Sequence, residues 1–251
     1  MGDLELLIDL HRDSDRQGPG DDEATRLAIA LSGLRGAPAL KIADIGCGTG
    51  AAALVLAQEL DAHVIAVDFV PSFLRQLEAR AGRAGLGDRI ETLAAAMEAL
   101  AFEDNVFDAI WSEGAIYNMG FEAGIKAWRR FLKPGGILAV SELTWLTQQR
   151  PPELALHWQR EYPEVATASA KMALLESHGY MPIGYFPLSQ KCWLDNYYRP
   201  LQASFDAFLT RQGQAEAARA IIAAERTEIA LYEQYAAYFG YGYYIARKIA
   251  D

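Results

Sequence analysis

The sequence predicts an α/β fold: a mostly parallel sheet with helices on both faces. Three observations carry that prediction. From Ala39 onward short apolar runs alternate with longer amphipathic stretches, the pattern of repeated βα units. A glycine-rich turn, Gly46-Cys47-Gly48-Thr49-Gly50, joins the first apolar run to the first amphipathic one. The chain has 251 residues, 51% of them hydrophobic, enough for one sizeable core.

The elements follow in order. Gln17-Gly18-Pro19-Gly20 reads as a loop between a first helix and a second that Asp21 or Asp22 caps. Strands are predicted over Lys41 to Ile45, His63 to Val67, Arg89 to Ala94, Phe107 to Trp111 and Gly136 to Ser141. Helices are predicted over Ala51 to Leu60, Pro71 to Ala84 and Phe121 to Leu132, the last stopped by Pro134-Gly135-Gly136. Beyond the fifth strand the pattern changes. Trp145 to Pro163 is rich in aromatics and prolines, Val165 to His178 reads as a helix stopped by Gly179, and Tyr180 to Leu188 as a strand. Gln190 to Ala237 reads as mostly long helix, and Gly242 to Lys248 as a closing strand that pairs antiparallel with its predecessor at the sheet edge. No linker or internal repeat divides the chain, so residues 1–251 are expected to form a single domain.

Composition narrows the partners. A net charge of -10 opposes the attraction that phosphate backbones exert on basic faces, so nucleic acid is not expected as a partner. An anionic membrane surface is disfavoured for the same reason. Cys47 and Cys192 are too few and too far apart for a disulfide framework or a zinc site, so a cytoplasmic location and no metal are expected. No apolar run reaches membrane-spanning length, and the start lacks a basic segment followed by an apolar one. Gly2 invites comparison with the myristoylation motif, but Leu6 stands where that motif has Ser or Thr.

The glycine turn carries the functional signal. Glycines after the first strand of a βαβ unit let backbone pass close to a ligand, while the following helix offers unpaired amides. Gly46, Gly48 and Gly50 make GxGxG; the dinucleotide fingerprint is GxGxxG, and the phosphate-binding P-loop ends in Gly-Lys-Ser/Thr. A pyrophosphate ligand is therefore disfavoured. Asp68, ending the second strand, stands where a carboxylate accepts hydrogen bonds from ribose hydroxyls. Loop and acid together imply an adenosine-type ligand; the plain alternative is a tight turn and a helix cap.

Asp44-Ile45-Gly46-Cys47-Gly48-Thr49-Gly50 resembles motif I of class I S-adenosylmethionine-dependent methyltransferases. Asp68, Ala96-Met97, Phe107 to Trp111 and Leu132 to Gly136 follow in that family's order. Gln17 to Gly20 and Trp111 to Asn118 further resemble a bacterial subgroup close to the ubiquinone/menaquinone-biosynthesis type. The resemblance implies a Rossmann-like, seven-stranded mixed sheet with helical insertions near the C-terminus. It divides the domain into N-terminal helices and a cofactor-covering loop (1–38), a cofactor-binding core (39–142) and acceptor-side insertions (143–163 and 190–240). It further implies S-adenosylmethionine held by Gln17, Gly18, Gly46, Cys47, Gly48, Asp68, Phe69, Ala96, Met97 and Glu113, with S-adenosylhomocysteine as product. Many relatives carry an acid near Ala96; here Ala95, Ala96 and Met97 offer only backbone and apolar contact, with Glu98 less well placed.

Because the sulfonium is already activated, methyl transfer demands alignment and dryness more than catalytic side chains. Glu113 follows the fourth strand at the sheet's carboxyl edge and is a candidate for the methionine amine or for catalysis. Glu142 is a weaker candidate on the same edge. His157 is a candidate base if its segment folds over the site. His178 reads as a helix-end cation, and His11 and His63 have no supporting context. Tyr117, Trp145, Trp193 and Tyr197 are candidate walls for a small-molecule acceptor, with Trp158 and Tyr198 beside them, although such clusters are more often core. Cys47 is expected to be small and buried rather than reactive. A non-catalytic cofactor-binding regulator is the alternative function, a Rossmann oxidoreductase is disfavoured by the GxGxG spacing, and a homodimer is allowed but not required.

Overall fold

The computed structural model describes residues 2–249. The N-terminal helices are α1 (Asp3–His11) and α2 (Asp22–Ser32). Of the two candidate caps for α2, Asp21 takes the role, its carboxylate accepting from the Ala24 amide at 2.6 Å. The alternating core follows as β1 (Leu40–Ile45), α3 (Ala51–Glu59), β2 (Ala62–Asp68), α4 (Pro71–Arg83), β3 (Ile90–Ala94), β4 (Phe107–Glu113), α5 (Phe121–Trp128) and β5 (Leu132–Trp145). Then come α6 (Pro152–Glu161), the two-residue β6 (Ala166–Thr167), α7 (Ala168–Ser177), β7 (Tyr180–Pro187), α8 (Gln190–Trp193), α9 (Arg199–Arg211), α10 (Glu216–Tyr235) and β8 (Phe239–Lys248).

Strand order is β3-β2-β1-β4-β5-β8-β7, with β6 pairing the end of β5. The first five strands run parallel, and β8 is antiparallel to both β5 and β7. The seven-strand Rossmann-like prediction holds, with β6 added. Side chains alternate across each strand, so the sheet feeds two cores. Ile42, Val64, Ala109 and Trp111 pack with residues of α2, α3 and α8 to α10. Ala43, Ile45, Ile65 and Ile110 pack with Phe121, Ile125 and Trp128 of α5 and Leu175 of α7. Each such large apolar side chain buried contributes about 2 kcal/mol, and fully enclosed Trp111 and Trp128 anchor one core each.

Three boundaries depart from the sequence reading. The helix expected to reach Leu132 ends at Trp128, because Leu132 already pairs with Phe107. Pro134-Gly135-Gly136 therefore forms a bulge inside β5, where the register moves from Phe107 opposite Leu132 to Ala109 opposite Ile137. β5 also runs on to Trp145, since β8 pairs with it through Phe239. The long helix expected over Gln190 to Ala237 carries a π-helical turn at Leu194–Tyr198 and breaks at Gly213 and Gln214, both at positive φ. Among the described residues no helix is long and apolar enough to cross a membrane.

Candidate functional site: the cofactor loop and its cavity

The carboxyl ends of β1, β2 and β4 open onto a cavity of about 490 Å³, the place where open α/β sheets bind ligands. Its floor is the glycine turn. Gly46 sits at φ +75° and Gly48 at φ +53°, backbone that side-chain-bearing residues rarely adopt. A Cβ on Gly46 would stand 2.3 Å from Ala115 Cβ, and one on Gly48 would stand 2.2 Å from Gln17 Oε1. The amides of Gly46 and Cys47 both donate to the Val67 carbonyl, at 2.8 and 2.9 Å, locking the turn to β2.

Asp68 holds the turn and lines the cavity. Its Oδ2 accepts from the Gly48 amide at 2.9 Å and its Oδ1 from the Val70 amide at 2.8 Å, so it holds the turn and caps the approach to α4. It also lines the cavity, where a carboxylate with two such bonds retains lone pairs for ligand hydroxyls. Burial pushes its carboxyl above the usual range, while the backbone amides pull it back.

The loop before α2 closes over this floor. Gln17 Oε1 accepts from the Thr49 amide at 2.9 Å, and Thr49 Oγ1 lies 2.9 Å from the Asp15 carbonyl and 3.1 Å from that of Ser14. Arg80 Nη1 bridges the Asp15 and Thr49 carbonyls, each at 2.9 Å. Gln17 and Gly18 both line the cavity, as the resemblance implies.

Glu113 corrects the sequence reading. It does not line the cavity; it is a buried post for the N-terminal segment. Arg16 Nη1 meets its Oε2 at 3.2 Å, and its Oε1 accepts from Thr25 at 2.6 Å, Tyr243 at 3.0 Å and the Trp111 indole at 3.2 Å. Both oxygens are bound to protein groups, and the carboxylate stands outside the cavity lining. Glu142 is likewise withdrawn beneath the surface, 3.7 Å from Lys171 Nζ, and burial pushes its carboxyl up to about 7 despite that lysine.

The other predicted residues divide cleanly. Gly46, Gly48, Asp68, Phe69, Met97, Tyr117, Trp193 and Tyr197 line the cavity. Phe69 and Tyr117, both in the lining, are 52% and 43% exposed. Cys47 is not in the wall: it is buried, and burial pushes its thiol well above the ordinary range, an unreactive spacer. Ala95 and Met97 line the cavity, and the Ala96 side chain between them is exposed, which leaves Ala96 its backbone to offer. Trp145 belongs to the core, packed on Phe239 and beneath Arg150. His157 sits on α6 with its ring edge-on to Trp158 at 5.0 Å, outside the wall.

Several wall residues escaped the sequence reading. Leu4, Leu7, Ile8 and His11 form one face of α1 and roof the cavity; their helical spacing is visible in the chain, but not what that face covers. His11 stacks on Tyr197 at 5.9 Å, and burial pushes its imidazole down to about 4. Glu225 and Glu228 of α10 join the wall with Glu161, Trp158, Tyr162 and Tyr241. Buried polar atoms without a protein partner gather here as well: His11 Nδ1, Trp158 Nε1, Trp193 Nε1 and Glu225 Oε2. A wall with open hydrogen-bond capacity suits a polar ligand. Among the described residues no cluster of three or more His, Cys, Asp or Glu could hold a metal ion.

The strand order is that of a Rossmann-like α/β fold, with the glycine turn at the carboxyl edge of its sheet. Residues 42–136 match the family described as "Methyltransferase domain". A malonyl-[acyl-carrier protein] O-methyltransferase of Herminiimonas arsenicoxydans is 34% identical over 122 residues, 48% of this chain and 43% of that one. A demethylmenaquinone methyltransferase of Mycolicibacterium gilvum is 34% identical over 122 residues, covering 48% and 47%. The chain spans about half, or less, of the length of the curated relatives it matches. Among solved structures, an S-adenosylmethionine-dependent methyltransferase of Geobacter sulfurreducens, in complex with S-adenosyl-L-homocysteine, superposes with a TM-score of 0.83 at 21% identity, covering 96% of this chain and 97% of that one. Over residues 42–136 the chain is similar to methyltransferases, a demethylmenaquinone methyltransferase among them, and its fold is that of S-adenosylmethionine-dependent methyltransferase structures.

Proposed function

We propose that the chain is an S-adenosylmethionine-dependent methyltransferase that acts on a small-molecule acceptor by direct transfer from the sulfonium. The observation that carries this reading is a single cavity with a glycine-and-carboxylate end at Gly46, Gly48 and Asp68 and an aromatic end at Tyr117, Trp193 and Tyr197. The bound cofactor supplies an activated methyl group; the chain supplies position and dryness. Asp68 takes the ribose hydroxyls, Met97 and Phe69 flank the adenine, and Gln17 and Gly18 cover the methionine end. The aromatic wall excludes water and aligns the acceptor. The net charge of -10 supports an acceptor other than nucleic acid, and the absence of a membrane-spanning helix among the described residues is compatible with work in the cytoplasm.

Calorimetric titration with S-adenosylhomocysteine tests the cofactor. Binding with a raised melting temperature is expected; no binding of either cofactor form would overturn the reading. Binding without turnover across O-, N- and C-acceptors would favour a regulatory protein on the same fold.

A further inference from the structure

We propose that the acceptor is a small molecule bearing a protonated amine, received by Glu225 and Glu228 among the aromatic side chains at the α10 end of the cavity. The proposal rests on the methyltransferase reading and names its substrate class. Charge is the first argument. The cavity wall carries Asp68, Glu161, Glu225 and Glu228 and no lysine or arginine. Its histidine, His11, is neutral near pH 7 because burial holds its imidazole down at about 4. Arg226, the cation between the two acids in sequence, is turned away over the Phe205 ring at 5.7 Å.

The two acids are themselves incomplete. They stand one helical turn apart, where like charges repel. Glu228 accepts from Tyr198 OH at 2.9 Å, while Glu225 Oε2 is buried with no protein partner. Glu228 has Tyr198 as donor and His157 as an electrostatic neighbour; an ammonium group supplies what Glu225 lacks, charge compensation and several donors. Tyr117, Trp158, Tyr162, Trp193, Tyr197 and Tyr241 line the same cavity, and aromatic rings attract cations. An acceptor recognised by a phosphate or carboxylate would meet repulsion here, and one without a donor would leave Glu225 Oε2 unpaired.

The same arrangement serves the reaction. An ammonium nitrogen has no lone pair to donate until it loses a proton. The low-polarity wall, then the neighbouring Glu228, pushes the Glu225 carboxyl up to about 7, which makes it a better proton acceptor than an ordinary carboxylate. The freed lone pair forms the nitrogen–carbon bond as the carbon–sulfur bond breaks and its electron pair passes to sulfur. The positive charge thereby moves from sulfur to nitrogen, beside the carboxylates.

Three probes of matched size decide the matter: benzylamine, benzyl alcohol and phenylacetate, titrated with and without saturating S-adenosylhomocysteine. Benzylamine is expected to bind about tenfold more tightly than the alcohol, with no measurable phenylacetate binding. The paired substitution Glu225→Gln and Glu228→Gln is expected to weaken benzylamine about tenfold and leave S-adenosylhomocysteine affinity within about twofold. Absent benzylamine binding at millimolar concentration, an equal or better affinity for either other probe, or an unchanged amine affinity in the double variant overturns the proposal. So does a selective loss of S-adenosylmethionine over S-adenosylhomocysteine affinity in that variant, which would assign the acids to the sulfonium. Failure of the wild-type protein to bind S-adenosylhomocysteine overturns the cofactor reading instead, and the titrations without it still decide the charge preference.

Discussion

The two ends of the cavity are built by different means. At the cofactor end the wall is backbone: a turn between β1 and α3, the tip of β2 and the segment after β3, fixed by positive φ angles and main-chain hydrogen bonds. At the acceptor end the wall is side chain, gathered from α1, α6, α8, α10 and β8, elements more than 200 residues apart in the sequence at their extremes. Backbone shape is written locally, in glycine spacing and strand ends. A side-chain wall exists only once distant helices have docked. The first end is therefore constrained toward one ligand, whereas the second can change by surface substitution on helices without disturbing the sheet.

The sharpest break of that contrast is Gly46→Val. The residue sits at φ +75° and its new side chain would drive into Ala115, so S-adenosylhomocysteine affinity should fall about a hundredfold or more by calorimetry. Retained affinity would show that backbone shape does not set this end. Glu113→Ala should act on the fold instead. Removing the carboxylate leaves Arg16 with Asp22 alone and strips Thr25, Tyr243 and the Trp111 indole of their acceptor, in a site where Arg16 and Glu113 are 13% and 10% exposed, and a loss of about 3 kcal/mol, or a fall in Tm of about 8 °C, is expected. Lost activity at an unchanged Tm would instead restore Glu113 as a catalytic candidate.

These two residues also show what the sequence could and could not carry. Gly46 was readable because its requirement is local: a turn after a strand, two more glycines at fixed spacing and an acid at the end of the next strand. Glu113 was placed correctly at the carboxyl edge of β4, but its partners Arg16, Thr25 and Tyr243 come from both chain ends. Edge position alone does not say whether a carboxylate faces ligand or protein. That Ala95 and Met97 rather than Ala96 line the cavity was not legible, since side-chain alternation after β3 is set by where the strand stops. Glu225 and Glu228 were invisible as site residues because their environment is created by α10 packing beneath α1 and beside α9.

Asp68→Asn comes next in size. The amide keeps an acceptor for one backbone partner but loses the second carboxylate oxygen, so S-adenosylhomocysteine should bind about tenfold more weakly with a modest loss of stability. A stability loss with no change in affinity would confine Asp68 to holding the glycine turn. His11→Phe should show its effect through pH. Burial keeps the native imidazole neutral down to about 4, whereas the unfolded chain takes up the proton near its ordinary value of 6.5. Wild-type stability is thus lost as pH falls from about 6.5 toward 4. The phenyl ring retains the stack on Tyr197 without titrating, so melting curves should show the variant gaining on wild type between pH 7 and pH 5. Parallel curves would mean that water reaches His11 in its roof position.

The smallest effect should come from His157, and it is informative when set beside its neighbour. Both residues lie on α6, but the Trp158 ring packs on Phe239 at 5.2 Å and lines the cavity, while His157 is half-buried and touches that indole edge-on. Trp158→Ala should cost about 3 kcal/mol through lost packing. His157→Ala should stay within about 0.5 kcal/mol and leave S-adenosylhomocysteine affinity unchanged. The comparison turns on one step of helical rotation, which separates a wall residue from a bystander. Equal effects from the two substitutions would mean that α6 presents a different face to the cavity. The aromatic end would then have to be redrawn around His157, with the histidine returned to consideration as a base.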